Sequence, residues 1–195
     1  MMEQRCHPHP FSDMLSGFYI PPQPALIEKI REAGPELSTI ADVIASDPGI
    51  AAQVLIRVNS PFFGLRNRIA SVQQASVLLG LNNVLNVVRL VYLRSVSEGI
   101  DPIMLESFWN NASNVAFTMS LLSKELKIGN PDDAFTLGLF HNCGIPLIAQ
   151  KFPNYWQVLE QSYASEEILL TEIEDRHING NHAVVSYLVV KAWRL

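Results

Sequence analysis

The sequence predicts an all-α protein, a multi-helix bundle in which an N-terminal helical lobe packs on a second helical lobe. Apolar residues recur at intervals of three and four through most of the chain, the pattern of helices with one buried face. Asp47-Pro48 and Asn130-Pro131 stand at the heads of periodic segments, and Gly34 and Gly80 follow the ends of others. No strand-like alternation, Gly-rich phosphate loop, nucleophile elbow, paired CxxC or internal repeat occurs.

Residues 1–19 read as a tail. Cys6, His7 and His9 are metal-ligating types, but Pro8 and Pro10 keep the segment extended and no fourth ligand is near, so a solvated tail is expected. Ile20-Pro21-Pro22-Gln23-Pro24 fixes an extended lead-in, and Ala25 to Ala33 follows as a helix that Gly34-Pro35 ends. Thr39 with Asp42 has the form of a capping box, and Ile40, Val43 and Ile44 give a second short helix its apolar face. Asp47-Pro48 starts a third, in which Ile50, Val54, Leu55 and Val58 keep helical spacing. Asn59-Ser60-Pro61 breaks it, and Phe62-Phe63-Gly64-Leu65 reads as an apolar loop plugging the core. Arg66 and Arg68 beside it are surface charges or a small anion-binding rim.

Val72 to Leu79 is a helix stopped at Gly80. In the helix after it, Asn82, Asn86 and Arg89 mark a narrow polar stripe while apolar residues fill most of the circumference, which predicts burial on nearly all sides. Ser97 to Pro102 breaks the pattern and divides residues 20–100 from 101–195. Beyond the break Phe108, Ala112, Val115, Met119, Leu122 and Leu126 advance by fours and threes, which predicts one long helix burying that stripe, with Asn111, Asn114 and Thr118 at its edge.

Asn130 caps the next helix, with Pro131 at its first position and Asp132 and Asp133 in its first turn. That helix runs into Leu137 to Pro146, where Gly144 and Pro146 bend or end it. Pro153 opens a helix with Tyr155, Trp156, Val158 and Leu159. Another, from Ser165, carries Ile168, Leu169 and Ile173, with Glu172, Glu174 and Asp175 as its solvated face. Asn179 to His182 is the last turn, Ala183 to Trp193 the final helix, and His182 by itself reads as a capping or surface group.

With 48% hydrophobic and 17% charged residues, the composition excludes a disordered chain. A net charge of -5 makes a poor grip on phosphate backbones, so no nucleic-acid partner is expected. Cys6 and Cys143 offer no disulfide framework, which fits a reducing cytoplasm. The first residues lack an apolar signal core, and Val84 to Val96, interrupted by Asn86, Arg89 and Arg94, is too short and polar to span a bilayer. A soluble cytoplasmic protein without a membrane partner is expected.

The chemistry centres on His141-Asn142, a polar pair inside an apolar run. A His-Asp pair there would offer an imidazole and a hard carboxylate oxygen to a divalent ion. Asn142 has no charge, and a neutral amide is a weak ligand for a hard cation and no general base. The same pair also reads as a hydrogen-bonded couple satisfied in a core.

Together these landmarks resemble the HDOD family, the HD-related output domain of bacterial signalling proteins. From Ile20 onward the likeness rests on Pro21-Pro22-Gln23-Pro24, Asp47-Pro48, Asn59-Ser60, Phe63-Gly64, Ala75 with Leu79-Gly80, Trp109, Gly138-Leu139-Phe140-His141, and Asn181-His182 with Trp193. The resemblance implies an HD-like bundle whose second lobe is related to HD phosphohydrolases, which hold a metal with a first His, a His-Asp pair and later His and Asp groups. It places the first histidine's position at Asn111, the pair at His141-Asn142 and a later histidine at His182. With the carboxylate gone, Asn111, His141, Asn142 and His182 become a vestigial site, with no catalytic residue, metal or cofactor expected. The family usually continues past Trp193 with a Pro and a later His-His segment, so the chain is read as truncated or naturally short at its C-terminal end.

The leading expectation is therefore a non-catalytic signal-transduction module that binds a partner protein or a small nucleotide-like ligand. A weak metal-dependent phosphohydrolase using His141, Asn142 and His182 is the first alternative. A helix-turn-helix regulator built on Ile40 to Val58, with Gln53 and Arg57 as base-reading side chains, is the second.

Overall fold

The computed structural model describes residues 19–59, 65–97, 99–163 and 168–195, apart from the side chains of Arg57 and Tyr163. The Cys6-His7-His9 tail, Ser60 to Gly64 of the expected core-plugging loop, Glu98 and the expected helix start at Ser165 lie outside the described residues. Every regular element among the described residues is a helix: α1 (Ala25–Glu32), α2 (Leu37–Ala45), α3 (Pro48–Val58), α4 (Val72–Leu79), α5 (Leu81–Ser95), α6 (Pro102–Leu126), α7 (Pro131–Phe140), α8 (Gly144–Lys151), α9 (Tyr155–Tyr163), α10 (Leu170–Ile178) and α11 (His182–Trp193). The all-α bundle expected from the sequence is what the chain forms. No single described helix is long and apolar enough to cross a membrane.

Side-chain oxygens satisfy the free amide hydrogens at several helix starts, at Asp47 and Asn130 as the sequence predicts. Asp47 accepts from Ile50 N at 3.0 Å, Asn130 from Asp132 N at 2.9 Å and Asn181 from Val184 N at 3.1 Å. The Thr39–Asp42 capping box does not form. α2 begins three residues earlier than that box would start it, after Glu36 and without a side-chain cap. Burial of Ile40, Ala41 and Ile44 sets this helix, and a local capping pattern carries less weight than that packing.

Two apolar cores lie side by side. Ile27, Ile40, Ile44, Val54, Val58, Ala75 and Val84 belong to the first, and Trp109, Phe140, Ile148, Tyr155, Val189 and Trp193 to the second. α5 serves both, since Val88 sits in one and Leu90 in the other. It is buried from Val84 through Leu90, as its composition predicts. Asn59 ties off the first core: its amide donates to Leu55 O and Ile69 O, both at 2.8 Å, and its carbonyl accepts from Ile69 N at 2.7 Å. Trp193 closes the second, donating from Nε1 to Pro21 O at 2.8 Å and so joining the two ends of the described chain.

The buried seam of α6 differs from the expected stripe. Leu105, Trp109, Ala112, Ala116 and Ser123 are buried, whereas Leu122 is 50% and Leu126 62% exposed. The cause is the close approach of α7: a Cβ on Gly138 would lie 2.5 Å from the Ala116 Cα. Such a crossing selects small residues, so the seam runs through Ala112 and Ala116 and leaves the larger Val115 and Met119 half-buried.

Candidate functional site

The polar pair sits in a tight turn between two helices. α7 ends at Phe140, His141 to Cys143 form the turn, and α8 begins at Gly144 with Pro146 in its first turn. Gly144 and Pro146 therefore start a helix, where the sequence reading had them bending or ending one. A proline is tolerated there because first-turn amides have no partner inside the helix. A Cβ on Gly144 would lie 2.4 Å from His182 O, so glycine at this position lets α8 lie against α11. The Gly144 amide donates to Ser186 Oγ at 2.9 Å, and burial pushes the neighbouring Cys143 thiol up to about 12.

The four residues assigned to a vestigial site fall in three surroundings. His141 is exposed; its Nδ1 donates to Gly138 O at 2.7 Å, and the ring lines a large cavity together with residues of α5, α7 and α11. Asn111 and Asn142 line a separate groove of about 700 Å³ with Asn114, Phe108 and Trp156. His182 is buried and turned toward Glu174, with its Nδ1 donating to Oε2 at 2.6 Å and its backbone N to the same oxygen at 3.1 Å. Its expected role as a surface or capping group is thus corrected, since Asn181 caps the helix.

Glu174 corrects the reading further. Expected on a solvated face, it is 0% exposed, and Tyr155 donates its hydroxyl hydrogen to Oε1. Three donors from α9 and α11 thus converge on one carboxylate of α10. That arrangement makes its burial tolerable and ties three helices together.

These residues do not fit a divalent metal. The carboxylate bonded to His182 is already occupied by three hydrogen bonds, and Asn111 and Asn142 bring only neutral amides. Among the described residues no three His, Cys, Asp or Glu side chains are grouped as a metal would require.

The larger cavity, about 930 Å³, is walled by α5, α7 and α11 and includes Arg31. Leu85, Leu137, Phe140, Tyr187 and Val190 give it an apolar surface. Arg89 is its anomalous member, an arginine only 7% exposed whose Nε has no hydrogen-bond partner. Its Nη1 donates to Asn86 Oδ1 at 2.8 Å, Asn86 Nδ2 to Thr136 Oγ1 at 2.6 Å, and Thr136 Oγ1 to Asp132 O at 2.9 Å. Burial and, second, repulsion from Arg31 lower the Arg89 pKa to about 10, which leaves it charged at neutral pH. Arg66 and Arg68, the sequence-stretch considered as an anion rim, are exposed and do not line this cavity. The stripe of Asn82, Asn86 and Arg89 was visible in the sequence, but the cavity it faces is built by helices far along the chain.

Comparison with known proteins places this architecture. An uncharacterized protein of Treponema pallidum is 24% identical over 181 residues, covering 90% of this chain and 35% of that one. The structure of an HDOD domain protein of unknown function from Geobacter sulfurreducens is similar with a TM-score of 0.71 at 23% identity, covering 94% of this chain and 63% of that one. A protein from Shewanella amazonensis provisionally named a phosphohydrolase gives 0.71 at 22% identity, covering 94% and 67%. One from Marinobacter aquaeolei provisionally named a signal transduction protein gives 0.69 at 23% identity, covering 94% and 46%. The chain thus spans about a third of the Treponema relative and half to two thirds of the matched structures. The sequence profile of the HDOD domain matches residues 20–195, and the chain belongs to the HDOD family.

Proposed function

We propose that this chain is a non-catalytic signal-transduction module working in the cytoplasm, with residues 20–100 as an N-terminal lobe and 101–195 as an HD-related lobe. The observation that carries the reading is the donor set at the HD-like positions. Asn142 and Asn111 are neutral, and the carboxylate bonded to His182 is committed to Tyr155 and to His182 itself. A hydrolase would need a charged oxygen to hold the ion and a base to activate water. A regulatory partner protein is supported by the name of the Marinobacter relative and by the end of α6, where Leu121, Leu122 and Leu126 are 56%, 50% and 62% exposed.

Phosphodiesterase turnover on bis(p-nitrophenyl) phosphate and on cyclic dinucleotides, with Mn²⁺ or Mg²⁺ supplied, tests the reading. It predicts no turnover above buffer for the natural chain or for Asn142→Asp. Metal-dependent turnover abolished by His141→Ala would overturn it. The weak phosphohydrolase reading, which the name of the Shewanella relative supports, instead requires Asn142→Asp to raise both metal affinity and rate.

A further inference from the structure

We infer that the cavity between α5, α7 and α11 is a binding site for a small organic anion, a phosphate or carboxylate carried on an aromatic or apolar body, with Arg89 as its anchor. The inference names a ligand class and place for the regulatory module but does not depend on the HD-like turn being inert. A guanidinium away from water is costly unless an anion pairs with it, and among the described residues no carboxylate lies within ion-pair distance of Arg89. Its Nε is unpartnered, and the Asn86–Thr136 chain holds the group in the cavity wall, so an anion seated there would face a guanidinium whose charge no described side chain balances.

The surroundings define the rest of the ligand. Arg31 and Arg194 also line the cavity and add positive charge, and an anion beside Arg89 would relieve its repulsion from Arg31. Asp132 and Asp133 line it too and disfavour a second negative group on their side, while offering acceptors to hydroxyl or amino hydrogens. Leu85, Leu137, Phe140, Tyr187 and Val190 supply surface for an apolar body, and about 930 Å³ suits a molecule of nucleotide size. His141 lines the same cavity, so an occupant would touch the HD-like turn directly.

Titration calorimetry with phenyl phosphate, benzoate and inorganic phosphate tests this. Phenyl phosphate or benzoate should bind saturably, whichever of the two is tighter reporting the preferred anion. That ligand should bind roughly tenfold or more tighter than inorganic phosphate, because only it buries a ring. Added salt should weaken the binding. Arg89→Met should lower affinity at least about tenfold, with the ligand-free variant still folded by circular dichroism although the Asn86 carbonyl loses its donor. Should that variant fail to fold, Arg31→Gln carries the test: its side chain is 40% exposed, and it should weaken binding about two- to fivefold. Absence of binding by both aromatic anions, equal affinity for inorganic phosphate, or unchanged affinity in the variants would overturn the inference. Binding together with metal-dependent turnover would leave the site standing and overturn only the non-catalytic reading.

Discussion

Glu174 and Arg89 are both buried ionisable side chains, and they are treated in opposite ways. Around Glu174, a tyrosine hydroxyl, an imidazole and a backbone amide converge on one carboxylate. Around Arg89, a single carbonyl oxygen of Asn86 is engaged while Nε faces no partner. A buried polar group whose bonds are all made within the chain is architecture. One whose bonds are left open beside a cavity is available to something from outside.

The contrast is sharpest where the closed network is broken. Glu174→Ala strands the Tyr155 hydroxyl and the His182 ring in a dry core and should cost about 3–5 kcal/mol. Denaturant unfolding reads this, and a loss below about 1 kcal/mol would show that the network contributes little. Gly144→Ala attacks the same region through packing. The new methyl would meet His182 O at 2.4 Å and Ser186 N at 2.9 Å, both backbone atoms, so a loss of about 1–3 kcal/mol or more is expected in thermal unfolding.

Tyr155→Phe removes one of three donors and keeps the ring, which should cost about 1–2 kcal/mol. A neutral effect would mean that the remaining two donors satisfy the carboxylate unaided.

A further effect is confined to alkaline pH. Because the folded Cys143 thiol is raised from 9.0 to about 12, the stability it contributes is fully present below pH 9 and is lost as pH climbs toward 12. Cys143→Ala should therefore leave a shallower decline over that range, by roughly 1 kcal/mol per pH unit, as measured by urea unfolding at stepped pH. In a Cys6→Ser background the remaining thiol should resist iodoacetamide at pH 8 until the protein unfolds.

Much of this fold could be read from the chain because its signals are local. Asn130-Pro131 and Asp47-Pro48 start helices through contacts within three residues, and α5 announces its burial by being apolar on nearly every side. Where distant contacts decide, the sequence misled. The stripe from Phe108 to Leu126 has the better hydrophobic spacing, yet Gly138 on another helix selects Ala112 and Ala116 for the seam. Glu174 stands among Glu172 and Asp175 in a stretch that reads as solvated, and its burial follows from Tyr155, 19 residues before it, and His182, 8 residues after it. Of the candidate site, the neutral character of Asn111 and Asn142 was legible, since it is a property of the residue itself. Their separation from His141 and His182 was not, because it depends on how α6, α7, α10 and α11 pack.

Equilibrium dialysis against Mn²⁺, with the natural chain beside Asn142→Asp and His141→Ala, tests the central claim that the HD-like positions no longer form a metal centre. The account predicts that the natural chain retains no more Mn²⁺ than His141→Ala does. A stoichiometric ion held at micromolar Mn²⁺ by the natural chain and lost in His141→Ala would contradict it.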